Sequence, residues 1–197
     1  MLEARTRRGS AEVEAAILTA TLELVGERGY GGLFVDAVAA RAGAARSVLY
    51  RRWPDKAHLV AAALERAQAG LVPEHGSGDL RTDLQTVLRN IADLLAGPVG
   101  AACAALHAER SAKPEVRAAA ARAGLETRQR AITQVLERAV AAGELRPGVL
   151  TAQAAHAGTA LLLFHLFDGG RPVDHALADA ILADVVWPAV TRWAPGA

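Results

Sequence analysis

Between Val35 and Pro54 the chain can form only short helices, and this limits the fold more than any other stretch. Val35, Val38, Ala39 and Ala42 recur on one helical face, and Gly43 then breaks the helix. A second short helix follows, about Arg46 to Arg52, and Pro54 stops it because a residue before proline is pushed out of helical angles. Leu49 and Trp53 are expected to face inward, leaving the polar and basic side chains outside. Upstream, Ser10 is a candidate N-cap, with Glu12 and Glu14 in the first turn where the helix dipole favours acid. Val13, Ile17, Ala20, Leu24 and Val25 give that first helix one apolar face, and Gly29 ends it before the turn Tyr30-Gly31-Gly32. Three helices with a glycine turn between the second and third describe a helix-turn-helix. Gly43 suits that turn because it accepts left-handed backbone angles without steric cost.

Downstream, Asp55 is expected to cap a fourth helix reaching about Gly70. Residues 70–79 are a loop by composition, and helices are expected at about 80–96, 100–111, 115–142, 151–168 and 174–193. Pro188 is expected to kink or end the last of them. No strand alternation and no internal repeat is visible, and alanine, the strongest helix former, is abundant. With 52% hydrophobic residues there is material for a core. The expected fold is all-α, with a mobile basic arm at 1–9, a three-helix head at 10–58 and a larger helical domain at 59–197.

Charge and cysteine usage narrow the function classes. Net charge is +1, but residues 1–58 hold nine Lys/Arg against seven Asp/Glu, and Arg46, Arg51, Arg52 and Lys56 crowd around Asp55. Such a local excess can serve phosphate contact. Cys103 is the sole cysteine, which excludes a disulfide framework and a cysteine-based zinc site. No histidine or carboxylate spacing suggests a metal, and no cofactor is implied. No nucleophile–base–acid pattern, phosphate loop or carboxylate pair marks an enzyme. The longest apolar run, Ala157 to Phe167, falls short of the roughly 20 residues of a membrane span, so a cytoplasmic protein without membrane association is expected.

The stretch from Ile17 to Leu59 resembles the N-terminal domain of the TetR-family repressors. The resemblance is carried by Gly29-Tyr30, Val38-Ala39-Ala40-Arg41-Ala42-Gly43, Leu49-Tyr50-Arg51, Trp53-Pro54-Asp55-Lys56 and Leu59. More weakly, Ala142-Gly143-Glu144-Leu145 resembles a turn of the regulatory domains. The resemblance implies double-stranded DNA as partner, with Tyr50 and Lys56 on phosphates. Lys56 also opens the fourth helix, whose free amides suit an anion. Arg52 is given a backbone role too. Arg46, Ser47 and Arg51 are the candidates for base edges, since arginine reads guanine bidentately, and Val48 for a thymine methyl. The arm arginines Arg5, Arg7 and Arg8 are candidates for the minor groove. Three positions depart from the family's habit. Phe34 and Ala45 stand where capping hydroxyls are usual, and Val48 where a small polar residue is common. These departures sustain an alternative, a helical dimeric small-molecule-binding or interaction module that has lost operator binding.

Helix 151–168 is apolar nearly all round, which calls for burial on more than one side. The resemblance implies that the last two long helices build a homodimer, and Leu161, Leu162, Leu166, Leu177, Ile181 and Val185 are the candidates. A twofold dimer gives two heads the spacing of palindromic half-sites. The resemblance further implies a small-molecule effector bound in the rear domain, with Cys103, Leu106, His107, Phe164 and His165 as candidate lining. The expected function is that of a ligand-responsive transcription regulator, a repressor released from a palindromic operator.

Overall fold

The computed structural model describes residues 2–109, 126–151 and 153–196, and every regular element among them is helical. They are α1 (Leu2–Arg28), α2 (Val35–Ala42), α3 (Arg46–Arg52), α4 (Lys56–Ala67), α5 (Leu80–Ala96) and α6 (Pro98–Glu109). After residue 125 come α7 (Glu126–Ala141), a 3-10 turn (Pro147–Thr151), α8 (Ala154–Asp168), α9 (His175–Ile181), a π turn (Leu182–Val186) and α10 (Trp187–Thr191). The chain divides into two compact units. One holds Met1–Ala67 and Pro98–Gly124, the other Gln68–Gly97 and Leu125–Ala197. The boundary expected after residue 58 is therefore displaced: α4 and α6 both fold with the head.

In the first unit α1 is the backbone of the core. Ile17, Leu24 and Val25 are almost fully buried, as are Val38 of α2, Leu59 and Leu64 of α4 and Leu106 of α6. α1 packs on α2, α4 and α6. Its seam with α6 is close: a Cβ at Gly26 would lie 2.9 Å from that of Ala101. At the end of α6 the Glu109 carboxylate accepts the Gly31 N–H at 2.9 Å, tying α6 to the turn that leads into α2. The segment expected as an arm is helical from Leu2, and Ser10 lies inside α1 instead of capping it. Only Gly9 in that segment disfavours helix, and one interior glycine costs about 1 kcal/mol against alanine. α2 ends as expected. Gly43 sits at φ 62° and ψ 29°, its N–H bonds to Ala40 O, and the next N–H bonds to Ala39 O at 2.9 Å. That is a Schellman ending. A Cβ at Gly43 would meet nothing within 4 Å, so the need for glycine is conformational.

The second unit is built around α5, whose Leu84, Val87, Leu88 and Ile91 are fully buried. Ile132 and Leu136 of α7, Leu162 of α8, and Leu177, Leu182, Val186 and Val190 complete that core. Asp79 caps α5 by accepting from Thr82 N at 2.7 Å, and Asp174 caps α9 by accepting from Leu177 N at 2.8 Å. Arg89 of α5 forks onto Asp179 of α9 at 2.9 and 2.6 Å, and this hydrogen bonding holds the Asp179 carboxyl below its ordinary range. Pro188 does not end the last helix, which continues beyond it to Thr191. The chain passes through a π turn first and then continues as α10, which absorbs the donor the proline lacks. Gly158 lets α8 approach closely, since a Cβ there would lie 2.9 Å from Leu88 Cδ2 and 3.1 Å from Val186 Cγ2. Gly158→Val is therefore expected to destabilise by about 1–3 kcal/mol through overpacking, read as a lowered thermal midpoint.

Candidate nucleic-acid interface

The head presents α3 on two internal anchors. Leu49 is 1% exposed and Trp53 9%, and the Trp53 N–H closes α3 on Leu49 O at 2.9 Å. With that face inward, the rest of α3 must turn to solvent. Arg46, Ser47, Tyr50, Arg51 and Arg52 are all exposed, Tyr50 at 58% despite its ring, while Val48 is half-buried. An exposed aromatic beside arginines, on a helix seven residues long, is a surface suited to a phosphate-lined groove.

The free head holds most of these cations in place. Arg46 Nε stands 2.9 Å from Asp36 Oδ1 on α2, and Arg52 Nη1 stands 2.7 Å from Glu14 Oε2 on α1. Arg41 of α2 forks onto Glu27 of α1 at 2.6 and 2.9 Å. That hydrogen bonding holds the Glu27 carboxyl below its usual range and raises the Arg41 guanidinium. Among the described residues Arg51 makes no ion pair. Lys56 donates to Tyr30 O at 2.9 Å and lies 4.4 Å above the Tyr30 ring. It thus anchors the α1–α2 turn to the start of α4. An ammonium has three donors, so this leaves capacity for an anion. Asp55 caps α4 as expected, accepting the His58 N–H at 2.9 Å, and that backbone bond leads the causes that lower its pKa.

Neither Phe34 nor Ala45 makes a side-chain cap, and Phe34 is 66% exposed. Ala45→Ser is expected to stabilise the protein by about 1 kcal/mol, raising the thermal midpoint by roughly 2–4 °C. The sequence does not single out Asp36, nor the pairing of Glu14 with Arg52 and of Tyr30 with Lys56. Their partners lie ten or more residues away across turns, and only the crossing of α1, α2 and α3 brings them together.

The family described as "Bacterial regulatory proteins, tetR family" matches residues 17–63, and "Tetracyclin repressor-like, C-terminal domain" matches residues 72–185. The chain belongs to the TetR family of transcription regulators. An uncharacterized HTH-type transcriptional regulator of Mycobacterium bovis is 34% identical over 183 residues, covering 91% of this chain and 88% of its own. A DNA-binding transcriptional repressor TetR of Mycobacteroides abscessus is 32% identical over 177 residues, covering 87% and 90%. Among solved structures, a TetR-family regulator from Rhodococcus sp. superposes with a TM-score of 0.74 at 24% identity, over 91% of this chain and 99% of that one. This TetR-family chain therefore carries a DNA-binding head at its N-terminal end.

The rear candidates fall in both units. Cys103 and Leu106 are buried on α6 of the first unit, with His107 half-buried beside them. Phe164 and His165 lie on α8 of the second, their rings edge to face at 5.4 Å. Phe164 is 56% exposed, and His165 Nδ1 is buried without a hydrogen-bond partner among the described residues. Within the second unit, recesses of 470 and 220 Å³ lie along α7, and none of the five expected residues lines either. Of the residues expected at a dimer interface, Leu162, Leu177 and Ile181 are 0, 2 and 5% exposed within their own unit. They are core residues and offer a partner no surface, which corrects the expectation for these three. Leu161, Leu166 and Val185 are half-buried, and Phe164 and Phe167 stand exposed on α8. Among the described residues no group of side chains could hold a metal ion, and no single helix is long and apolar enough to cross a membrane.

Proposed function

We propose that this TetR-family regulator is a homodimeric repressor that reads a palindromic operator with α3 and is released by a small-molecule effector. The observation that carries the DNA-reading part is the polar face of α3, Arg46, Ser47, Tyr50 and Arg51, held outward by buried Leu49 and Trp53. In this reading Arg46, Ser47 and Arg51 contact base edges, Val48 a thymine methyl, and Tyr50, Arg52 and Lys56 the phosphates. The dimer forms through the outer faces of α8 and the following helices, where Leu161, Leu166 and Val185 and the exposed rings of Phe164 and Phe167 await cover. The name of the Mycobacteroides relative supports a repressor. The effector acts through its differential affinity for two conformers.

Selection of bound duplexes from a random library tests the reading. A palindrome with half-sites about one helical turn apart is the expected product. The absence of enrichment at low salt would favour the other reading, to which the uncapped Phe34 and Ala45 point: a helical dimer whose head no longer reads DNA.

A further inference from the structure

We propose that Asp36, a residue outside the recognition helix, sets base preference by holding Arg46 in the pose that reads guanine. The inference rests on the DNA-reading function proposed above. Asp36 lies in the first turn of α2, and Arg46 is the first residue of α3. The first residues of a recognition helix are those that meet base edges. The contact between the two side chains is made by Nε of the guanidinium, 2.9 Å from Asp36 Oδ1. The Nη1–Nη2 edge, which can fork end-on to O6 and N7 of guanine, is on the far side of the group from Nε. A carboxylate on Nε therefore fixes the plane of the fork and leaves its reading edge available.

The charge of Asp36 makes the arrangement informative. A carboxylate on the DNA-facing side of a head is repelled by phosphates, so it weakens binding to any duplex. In the free protein the pair is exposed, 67% for Arg46 and 52% for Asp36, and solvent screens such pairs until they contribute little stability. An acid that opposes general DNA binding and contributes little to folding is consistent with a role in discrimination, where cost against the wrong duplex counts as much as attraction to the right one. An acid in the first turn of α2 also suits that helix's dipole. This second role needs the charge, whereas orientation of Nε needs only an acceptor oxygen. Asparagine separates the two.

The test is duplex selection with the whole chain and its Arg46→Ala, Asp36→Ala and Asp36→Asn variants and the Asp36→Ala, Arg46→Ala double variant, with thermal midpoints and affinity for a random duplex measured beside it. The wild type is expected to enrich guanine at one position per half-site, and Arg46→Ala to lose about tenfold in preference there. Asp36→Ala is expected to lose about threefold or more at that same position and no other, while gaining affinity for random DNA. Asp36→Asn is expected to recover part of the preference. The double variant should discriminate no worse than Arg46→Ala alone, because the two residues act as one unit. The proposal is overturned if Asp36→Ala leaves that position unchanged in a wild type that does select an operator. It is equally overturned if its loss adds to that of Arg46→Ala, or if asparagine behaves as alanine does. A wild type that selects nothing overturns the DNA-reading function and this inference with it.

Discussion

Replacing Tyr50 and Arg51 together with alanine is expected to weaken operator binding by about 100-fold or more and to leave folding nearly untouched. The size follows from multiplicity. One arginine on a base edge discriminates by about 1–3 kcal/mol, and a dimer loses that contact twice, along with two tyrosine–phosphate contacts. A loss of about 1.4 kcal/mol is already tenfold. Tyr50 is 58% exposed and Arg51 makes no ion pair among the described residues, so neither supports the core. Surface substitutions of this kind change stability by about 0.5 kcal/mol at most. The check is a titration of the selected duplex beside a thermal melt. Lost binding with an unchanged melt places the two side chains on DNA; lost binding with a lowered melt would make them structural.

The largest effect on stability is expected in the other unit. Leu136 of α7 is fully buried in the cluster with Leu84, Leu88 and Ile91 of α5, and Leu136→Ala should destabilise by about 2–5 kcal/mol. The range reflects how far the neighbours can close the cavity. Denaturant unfolding followed by circular dichroism reads it as a lower midpoint. The two substitutions also separate binding from folding. At a temperature where Leu136→Ala remains folded, the head residues of α3 are unaltered, so base preference should persist. Altered preference would mean that the α7 core shapes the reading surface.

The parts of the fold that could be read in the sequence are those fixed by neighbours along the chain. Gly43 ends α2 because its own φ permits it, Asp55 caps α4 from three residues away, and Leu49 and Trp53 share a face by helical period. The same locality made Tyr50 and Arg51 visible as outward residues. What could not be read depends on distant partners. Glu109 meets Gly31 across 78 residues, and with it α6 joins the head. Asp36 reaches Arg46 only through the crossing of α2 and α3. Apolar character calls for burial of α8 on several sides but does not tell which side faces its own unit; Leu162 turns inward while Phe164 stands exposed. The helical start at Leu2 differs from the expected arm because charge says little about helix formation, and residues 2–8 hold neither glycine nor proline. The rule that proline kinks or ends a helix concerns an α-helix, and a π turn precedes Pro188 here.

The salt dependence of binding to the selected duplex tests most directly whether this head meets DNA through its cations. Arg52 and Lys56 on two heads would neutralise about four phosphates, so log K should fall linearly with log salt with a slope of about −3.6. Lys56→Ala should make the slope shallower by roughly two. A slope near zero, or one indifferent to Lys56, would contradict the account and move the search for function away from α3.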